Sequence, residues 1–321
     1  MLLNIRNLAT YFFLDEGVLR AVDNVSFDIA ENETVALVGE SGCGKTIIAL
    51  SILKLIPPPG RILRGTVLLN GEDILSAAPD RLRRIRATET GIVFQEPGSA
   101  LNPVYPIGYQ IAEVLRLNRN ISRREAESTA TRLLGEVGIA EPEQRAKSYP
   151  FELSGGMRQR AAIAMATSAP PKLLIADEPT TALDVTVQAE ILDLLRHLQQ
   201  RHRMAILLIT HDLAVVAEMA KRVIVMYTGK VVEIADSEAI FKNPQHPYTK
   251  GLLSSVIRLG TGRSEPLRGI PGSVPDFLSL PSGCTFHPRC SIGDSSCTSA
   301  FPPLRQSASA RSCACYKVET A

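Results

Sequence analysis

Apolar and polar positions alternate along the first part of the chain and form longer apolar runs beyond it. Residues 2–34 alternate in short runs, which is typical of half-buried antiparallel strands. Later apolar runs that end in glycine or polar residues predict buried strands at Val35–Val38, Gly91–Pro97, Lys172–Thr180 and Ala205–Thr210. Helical patterns lie between them, at Ile47–Ile56, most of residues 98–152, Ala161–Ser168 and Val187–Gln200. This order of strands and helices predicts an α/β fold.

The clearest candidate site lies between the first buried strand and the first predicted helix. It has the pattern G-x-x-x-x-G-K-[ST] and consists of Gly39, Glu40, Ser41, Gly42, Cys43, Gly44, Lys45 and Thr46. Glycines let the backbone turn its N–H groups toward phosphate oxygens, and the following helix adds the positive end of its dipole. Lys45 would reach the β- and γ-phosphates of a nucleotide, and the Thr46 hydroxyl would hold Mg²⁺. The pattern therefore predicts a phosphate-binding loop.

Polar side chains mark the ends of the other buried strands. Gln95 would ligate Mg²⁺ or orient a water. Of the two adjacent carboxylates, Asp177 would hold Mg²⁺ and Glu178 would polarise the attacking water as a general base. His211 would point toward the same γ-phosphate if its strand runs parallel to the others. Together these residues predict a hydrolytic site.

Two further features suit nucleotide binding. Ser154 stands at the N-cap of a predicted helix, and Gly155 and Gly156 expose the first N–H groups of that helix. This predicts a second anion-binding helix start, separate from the phosphate loop. Residues 11–13 are consecutive aromatics in a chain with only 5% aromatic residues, and Phe12 is our candidate for a ring that stacks on the nucleotide base.

Composition and charge exclude several classes of function. The 321 residues include 35 basic and 33 acidic ones, and a net charge of +2 gives no electrostatic case for a nucleic-acid partner. No apolar stretch is long enough to span a bilayer, and the N-terminus lacks a signal-peptide pattern. We therefore expect a cytoplasmic chain whose six cysteines do not form structural disulfides.

These motifs, taken in order, resemble those of the ATP-binding cassette (ABC) family. The resemblance covers residues 1 to about 235, and its most specific segment is the signature sequence Leu153–Gln159. Ala182–Asp184 resembles the dimer loop, Gln95 the glutamine loop and His211 the switch histidine. The resemblance implies a phosphate-loop (RecA-like) ABC ATPase core with an antiparallel β subdomain, a helical insert at about residues 98–160 and a C-terminal extension. It also implies an enzyme that hydrolyses ATP with Mg²⁺.

The family mechanism implies several partners. Each ATP lies between the phosphate loop of one cassette and the signature helix of another, so one chain holds two half-sites. The resemblance therefore implies a second, related ABC ATPase subunit, two transmembrane permease subunits and an extracytoplasmic solute-binding protein. The chain itself would lie at the cytoplasmic face of the bacterial inner (plasma) membrane as a peripheral subunit.

Residues 236–321 form the second predicted domain, and their motifs narrow the resemblance. Asn243–Lys250, Gly269–Gly272 and Phe286–Cys290 resemble the extension of oligopeptide and dipeptide importer ATPases, as does Leu101–Pro103 in the insert. That group also includes nickel, opine and some sugar importers, so the extension indicates the cargo only loosely. A non-transport cassette ATPase acting on DNA or ribosomes is the less favoured alternative, because that class usually shows a long coiled coil or two cassettes.

Five of the six cysteines lie after residue 283. Thiolates at this density suit an iron–sulfur cluster or zinc. Some members of the importer group bind a four-iron–four-sulfur cluster, and the resemblance implies Cys284, Cys290, Cys297 and Cys315 as its ligands. Cys313 is the substitute for the fourth ligand, and reduced free thiols are an alternative of equal weight.

Overall fold

The computed structural model of the protein describes residues 1–118, 121–255, 269–306 and 311–318. Three segments of the predicted C-terminal domain, residues 256–268, 307–310 and 319–321, lie outside the described residues. The strands of the described residues are β1 Leu3–Leu14, β2 Gly17–Ile29, β3 Thr34–Val38, β4 Gly60–Leu69, β5 Glu72–Asp73, β6 Thr90–Val93, β7 Leu173–Asp177, β8 Ala205–Ile209, β9 Arg222–Tyr227, β10 Lys230–Asp236, β11 Arg305–Gln306 and β12 Ser312–Cys313. The α-helices are α1 Lys45–Ile52, α2 Pro79–Arg84, α3 Pro97–Ala100, α4 Ile107–Asn118, α5 Arg123–Glu136, α6 Pro142–Arg145, α7 Gly155–Ala166, α8 Val185–His202, α9 Leu213–Met219, α10 Ser237–Lys242 and α11 Pro247–Ser254.

The chain divides into two compact units, and both are built from separated segments of sequence. Unit 1 comprises Met1–Leu2, Ile29–Glu33 and Ser76–Leu208. Unit 2 comprises Leu3–Asp28, Thr34–Leu75 and Ile209–Ala321. The domain boundary predicted near residue 235 follows sequence motifs rather than chain contacts, and it stays a prediction.

Unit 2 contains two sheet regions. The first is antiparallel, in the order β2-β1-β4-β5, with Leu3 of β1 opposite Leu69 of β4 and Phe12 opposite Gly60. It confirms the antiparallel strands that the alternation over residues 2–34 predicted. The second has the order β11-β12-β10-β9-β3, in which β3 and β9 are parallel and the remaining pairs are antiparallel.

The core of unit 2 joins the phosphate-loop strand to the C-terminal region. Ala36 and Val38 of β3 share one hydrophobic cluster with Tyr227, Tyr248 and Phe286. All five are at most 3% exposed. Burial of apolar and aromatic side chains is the main force that holds one face of a sheet against its neighbours. The C-terminal region is therefore part of the core that supports β3.

Unit 1 contains the helical insert, the parallel pair β6 and β7, with Thr90 of β6 opposite Leu173 of β7, and most of the neighbouring strand β8. In the insert, α4 buries Ile107, Ile111 and Leu115 at four-residue spacing, which places them on one face of the helix. The insert is helical as predicted. Because a helical stripe of this kind needs an apolar partner, α4 packs with α5 and α7.

Helix α1 ends earlier than the sequence pattern predicts. We expected it to continue to Ile56, but its last residue is Ile52. Lys54 adopts a left-handed backbone with φ of 53°, and the N–H of Leu55 donates to the carbonyl of Leu50. This is the hydrogen-bond pattern of a Schellman motif, which ends the helix before the prolines are reached.

Candidate functional site

The phosphate loop connects β3 to α1 by a tight backbone turn. Two of its glycines are required by close contacts. A Cβ on Gly39 would lie 2.4 Å from the carbonyl oxygen of Met226, and one on Gly44 would lie 2.2 Å from that of Ala21. Gly44 also has a φ of 105°, which side-chain-bearing residues rarely adopt. The loop can therefore hold its shape only with glycine at these two positions.

Lys45 is held inside this loop. Its Nζ donates to the carbonyl oxygens of Gly39 at 2.8 Å and of Glu40 at 3.1 Å, and the residue is only 5% exposed. Buried ammonium groups need such partners. The contacts keep the cation at the mouth of a helix N-terminus, which is the position that suits binding of a phosphate.

The remaining loop residues differ in exposure. Ser41, Gly42 and Thr46 are exposed, so their polar groups face solvent at the start of α1. Cys43 is buried, and burial raises the pKa of its thiol. A thiol with a raised pKa is a poor nucleophile. Cys43 is therefore a small buried side chain with no sign of an activated thiol.

Phe12 lies half-buried on β1, opposite the start of β4. Its ring carbon Cε1 would be 2.6 Å from a Cβ on Gly60, so the absence of a side chain there makes room for the ring. Its neighbours have other partners: the Tyr11 hydroxyl donates to Asp23 at 2.8 Å, and the guanidinium of Arg61 lies over the exposed ring of Phe13. The stacking role of Phe12 stays a prediction.

In unit 1, the structure brings Gln95 and Glu178 together across 83 residues of sequence. The Nε2 of Gln95 donates to Oε2 of Glu178 at 2.9 Å, and the Thr181 hydroxyl donates to the same oxygen at 2.9 Å. Parallel pairing of β6 and β7 explains the meeting, because the carboxyl ends of parallel strands reach the same edge of a sheet. Asp177, the last residue of β7, is 2% exposed.

Glu178 has an unusual backbone for a non-glycine residue, with φ of 48°. Such conformations cost free energy and often occur at functional sites. This turn directs the side chain toward Gln95 and Thr181. A carboxylate that accepts hydrogen bonds from a neutral amide and a neutral hydroxyl is suitably placed to accept a proton from water.

The signature sequence also forms the predicted helix start. Ser154 caps α7 by accepting the N–H of Met157 at 3.3 Å, and α7 begins at Gly155. A Cβ on Gly156 would lie 2.8 Å from Cγ1 of Val187, so this glycine also lets α8 approach closely. A helix N-terminus of this kind suits an anion, and the anion-binding role of Ser154, Gly155 and Gly156 stays a prediction.

His211 belongs to unit 2, two residues after the end of β8. The N–H of Thr210 donates to the carbonyl of Leu37 at 3.3 Å, which places the segment beside β3, the strand that leads into the phosphate loop. His211 is exposed, and the following Asp212 caps α9 by accepting the N–H of Ala214 at 2.8 Å. The role of His211 as a γ-phosphate sensor stays a prediction.

The four cysteines named as cluster ligands line one small cavity, which His246 and His287 also line. Burial raises the pKa of Cys284 to about 11 and raises that of Cys290. Across the described ranges of the chain, however, no group of three or more His, Cys, Asp or Glu side chains is arranged to hold a metal ion. The cysteines therefore converge as predicted, but they do not form a ready ligand set, and the structure does not support the iron–sulfur cluster.

The sequence analysis missed two contacts between the C-terminal region and the phosphate loop. Arg289 forms a bidentate ion pair with Glu40 of the phosphate loop, with N–O distances of 2.8 and 3.1 Å, and the Tyr248 hydroxyl accepts the N–H of Glu40 at 2.8 Å. Both residues lie in motifs that the sequence analysis used only as marks of the importer group. Their separation of more than 200 residues from the loop left no local signal.

Comparison with known proteins agrees with this geometry. Residues 22–181 match the family model described as ABC transporter, and residues 232–297 match that described as oligopeptide/dipeptide transporter, C-terminal region. The oligopeptide transport ATP-binding protein AppD of Bacillus subtilis is 49% identical over 319 residues, covering 99% of this chain and 97% of AppD. The chain belongs to the ABC transporter family.

Two further likenesses support this assignment. The dipeptide transport ATP-binding protein DppD of Escherichia coli is 44% identical over 315 residues, covering 98% of this chain and 96% of DppD. A solved dimeric ATP-binding cassette, MJ0796, in a post-hydrolysis state bound to ADP and Pi, is 28% identical with a TM-score of 0.66. It covers 73% of this chain and 98% of its own length. The chain is thus an ATP-binding, ATP-hydrolysing ABC subunit with a RecA-like α/β core.

In the part of the chain that the structure describes, no helix is both long enough and apolar enough to cross a membrane.

Proposed function

We propose that this chain is the energy-coupling ATPase of a binding-protein-dependent importer of di- and oligopeptides. The observation that carries the proposal is the C-terminal region. Residues 232–297 match the model of oligopeptide and dipeptide transporters, and the same region packs into the core beside β3 and contacts the phosphate loop. The names of AppD and DppD support the same class of cargo.

The residues fit the following division of work. Backbone N–H groups of the phosphate loop and Lys45 bind the β- and γ-phosphates of ATP. Glu178, held by Gln95 and Thr181, accepts a proton from the attacking water, and His211 senses the γ-phosphate.

The magnesium ion required by this chemistry has suitable donors. By the family resemblance, Thr46, Gln95 and Asp177 would supply a hydroxyl, an amide oxygen and a carboxylate, the hard oxygen ligands that Mg²⁺ prefers. Held by these ligands, Mg²⁺ would neutralise negative charge on the phosphates.

A second ABC ATPase subunit, either another copy or a related chain, completes the site in this proposal. The N-terminus of α7, with Ser154, Gly155 and Gly156, binds the nucleotide held by the partner's phosphate loop. The dimeric form of MJ0796 supports such an arrangement. Two permease subunits and an extracytoplasmic solute-binding protein complete the importer, with this chain peripheral at the cytoplasmic face of the inner membrane.

A four-iron–four-sulfur cluster has no place in this proposal. The thiols of Cys284, Cys290, Cys297 and Cys315 line one cavity without forming a metal-holding group among the described residues. Iron analysis of the anaerobically purified chain tests the point, and stoichiometric iron that is lost on replacing Cys290 and Cys297 would restore the cluster hypothesis.

The deciding experiment is a pull-down of the Glu178→Gln chain from its own solubilised membranes with ATP present. We expect two permease subunits and a related ATPase to accompany it. Lys45→Ala, which should bind ATP more weakly, serves as the matched control. Recovery of ribosomes or DNA-bound factors, or of no membrane subunit, would overturn the transport proposal and leave the ATPase assignment intact.

The cargo is tested on the solute-binding protein of the same importer. We expect calorimetric titration to show saturable binding of di- or oligopeptides and none of nickel, opines or sugars. Binding of one of these other solutes in place of peptides would change the proposed cargo without affecting the role of this chain.

A further inference from the structure

Glu40, the second residue of the phosphate loop, has a partner for each of its polar groups. Its carboxylate pairs with both terminal nitrogens of Arg289, its N–H donates to the Tyr248 hydroxyl, and its carbonyl oxygen accepts from Lys45. Two of these three partners come from the C-terminal region. A loop residue fixed at three points cannot move independently of the groups that hold it.

Arg289 is itself held firmly. Its side chain is 5% exposed, its Nε donates to the carbonyl of Pro271 at 2.9 Å, and one terminal nitrogen lies 3.3 Å from the Tyr227 hydroxyl. The Glu40 side chain is 27% exposed, so solvent screens the ion pair only partly. A planar guanidinium that pairs bidentately defines the orientation of the carboxylate as well as its distance.

Tyr248 lies in an equally rigid setting. It is fully buried, and its ring contacts those of Tyr227 and Phe286 at centroid distances of 4.7 and 5.4 Å. This aromatic cluster fixes the position of the hydroxyl that receives the N–H of Glu40. Backbone and side chain of Glu40 are thus held from two different segments of the C-terminal region.

We propose that Arg289 and Tyr248 are positioning residues of the ATP site, which fix Glu40 so that the phosphate loop keeps its nucleotide-binding shape. The carbonyl oxygens of Gly39 and Glu40 hold Lys45, so the position of Glu40 also sets that of the phosphate-binding ammonium. The C-terminal region therefore sets the affinity for ATP, in addition to marking the importer group. The inference rests on ATP binding by this loop.

The test compares nucleotide binding by the full-length chain and ATP hydrolysis by the assembled importer. We expect Arg289→Gln to weaken ATP binding about tenfold, the usual scale for loss of a charge-assisted hydrogen bond. KM for ATP should rise by a similar factor while kcat changes little, because Arg289 acts on the loop and touches no reacting atom. Arg289→Lys should recover part of the affinity, and Tyr248→Phe should weaken binding by about threefold.

Glu40→Gln removes the same ion pair by changing the residue on the phosphate loop. The substituted residue lies outside the C-terminal region and is partly exposed, so the variant remains informative if Arg289→Gln fails to fold. It should raise KM as Arg289→Gln does, and the double variant should be no worse than either single one. Additive losses, or a fall in kcat at unchanged KM, would overturn the inference.

Arg311 provides the matched control. It is another largely buried arginine of the C-terminal region, paired with the buried Glu233 at 3.1 Å and bonded to the backbone of Asn243. Arg311→Gln should lower the thermal midpoint with ATP affinity unchanged. If it weakens ATP binding as strongly as Arg289→Gln, general destabilisation explains both, and the positioning role is wrong.

The same measurements separate this inference from the function on which it rests. A wild-type chain that fails to bind ATP would overturn the proposed function. A wild-type chain that binds ATP, with Arg289→Gln binding equally well, would overturn only the inference.

Discussion

Two glutamates, one in each unit, are held in contrasting ways. Glu40 in unit 2 meets the fixed cation of Arg289, which occupies both of its carboxylate oxygens. Glu178 in unit 1 accepts from the neutral amide of Gln95 and the neutral hydroxyl of Thr181, and both bonds reach one oxygen, Oε2. A carboxylate in a bidentate ion pair is suited to hold structure. In the proposed function Glu178 is the general base, and the bonds from Gln95 and Thr181 orient its carboxylate.

The largest effect should come from Glu178→Gln. Removal of a general base typically lowers the rate by about 10²–10⁴-fold, and ATP binding should persist because the phosphate loop is unaltered. Steady-state hydrolysis by the assembled importer and nucleotide binding by the chain are the two measurements. If the Glu178→Gln variant hydrolyses ATP at the normal rate, Glu178 is not the general base, and the contrast between the two glutamates has no catalytic meaning.

The pH dependence of stability should report on the unit that contains Glu40. His246 is 1% exposed, and burial lowers its pKa to about 4 from an ordinary value of 6.5. Between pH 6.5 and 4 the unfolded chain binds a proton that the folded chain does not, so stability falls as the pH falls through this window. The shift corresponds to roughly 3 kcal/mol.

Urea unfolding at pH 7 and pH 4.5 measures this effect, with His246→Gln as the control. The variant removes the proton uptake, so it should lose less stability than the wild type over the same interval. Carboxylates also titrate over this interval in both the wild type and the variant. Only the difference between the two losses of unfolding free energy is therefore assigned to His246. Parallel losses in the two chains would contradict the prediction.

Lys45→Ala should weaken ATP binding by about tenfold or more, because it removes the charged donor for the phosphates. In the proposed mechanism Glu178 acts on the attacking water and not on the phosphates, so binding of ATP should depend on Lys45 and hardly on Glu178. Isothermal titration with ATP checks this. Unchanged affinity would count against the phosphate-loop assignment.

The smallest effect should come from Thr181→Val, which keeps the shape of the side chain and removes the hydrogen bond from its neutral hydroxyl to Glu178. Such a bond contributes about 1 kcal/mol, so kcat should fall by a few-fold with KM nearly constant. Thr180→Val, at the adjacent position, is the control. A larger loss at Thr180 would indicate that the turn, and not the hydroxyl of Thr181, positions Glu178.

Local patterns predicted most of the fold and much of the candidate site. The phosphate loop, the capped helix at Ser154 and the polar residues after Gly91–Pro97 and Lys172–Thr180 follow from short-range chemistry. The hydrogen bond between Gln95 and Glu178 was not predicted, and it depends on the parallel pairing of β6 and β7, which brings the two strand ends to one edge. The predicted end of α1 was wrong, because the left-handed backbone at Lys54 ends the helix before the chain reaches the prolines.

What the sequence alone determined is the set of groups and their local geometry. Glycine spacing, a capping serine and apolar runs act within a few residues, so the chain encodes them without reference to distant segments. The tertiary structure decided which groups meet over long separations. Arg289 reaches Glu40 because Tyr227, Tyr248 and Phe286 bury the C-terminal region in the core beside β3. Packing of this kind depends on the whole fold, and no local pattern records it.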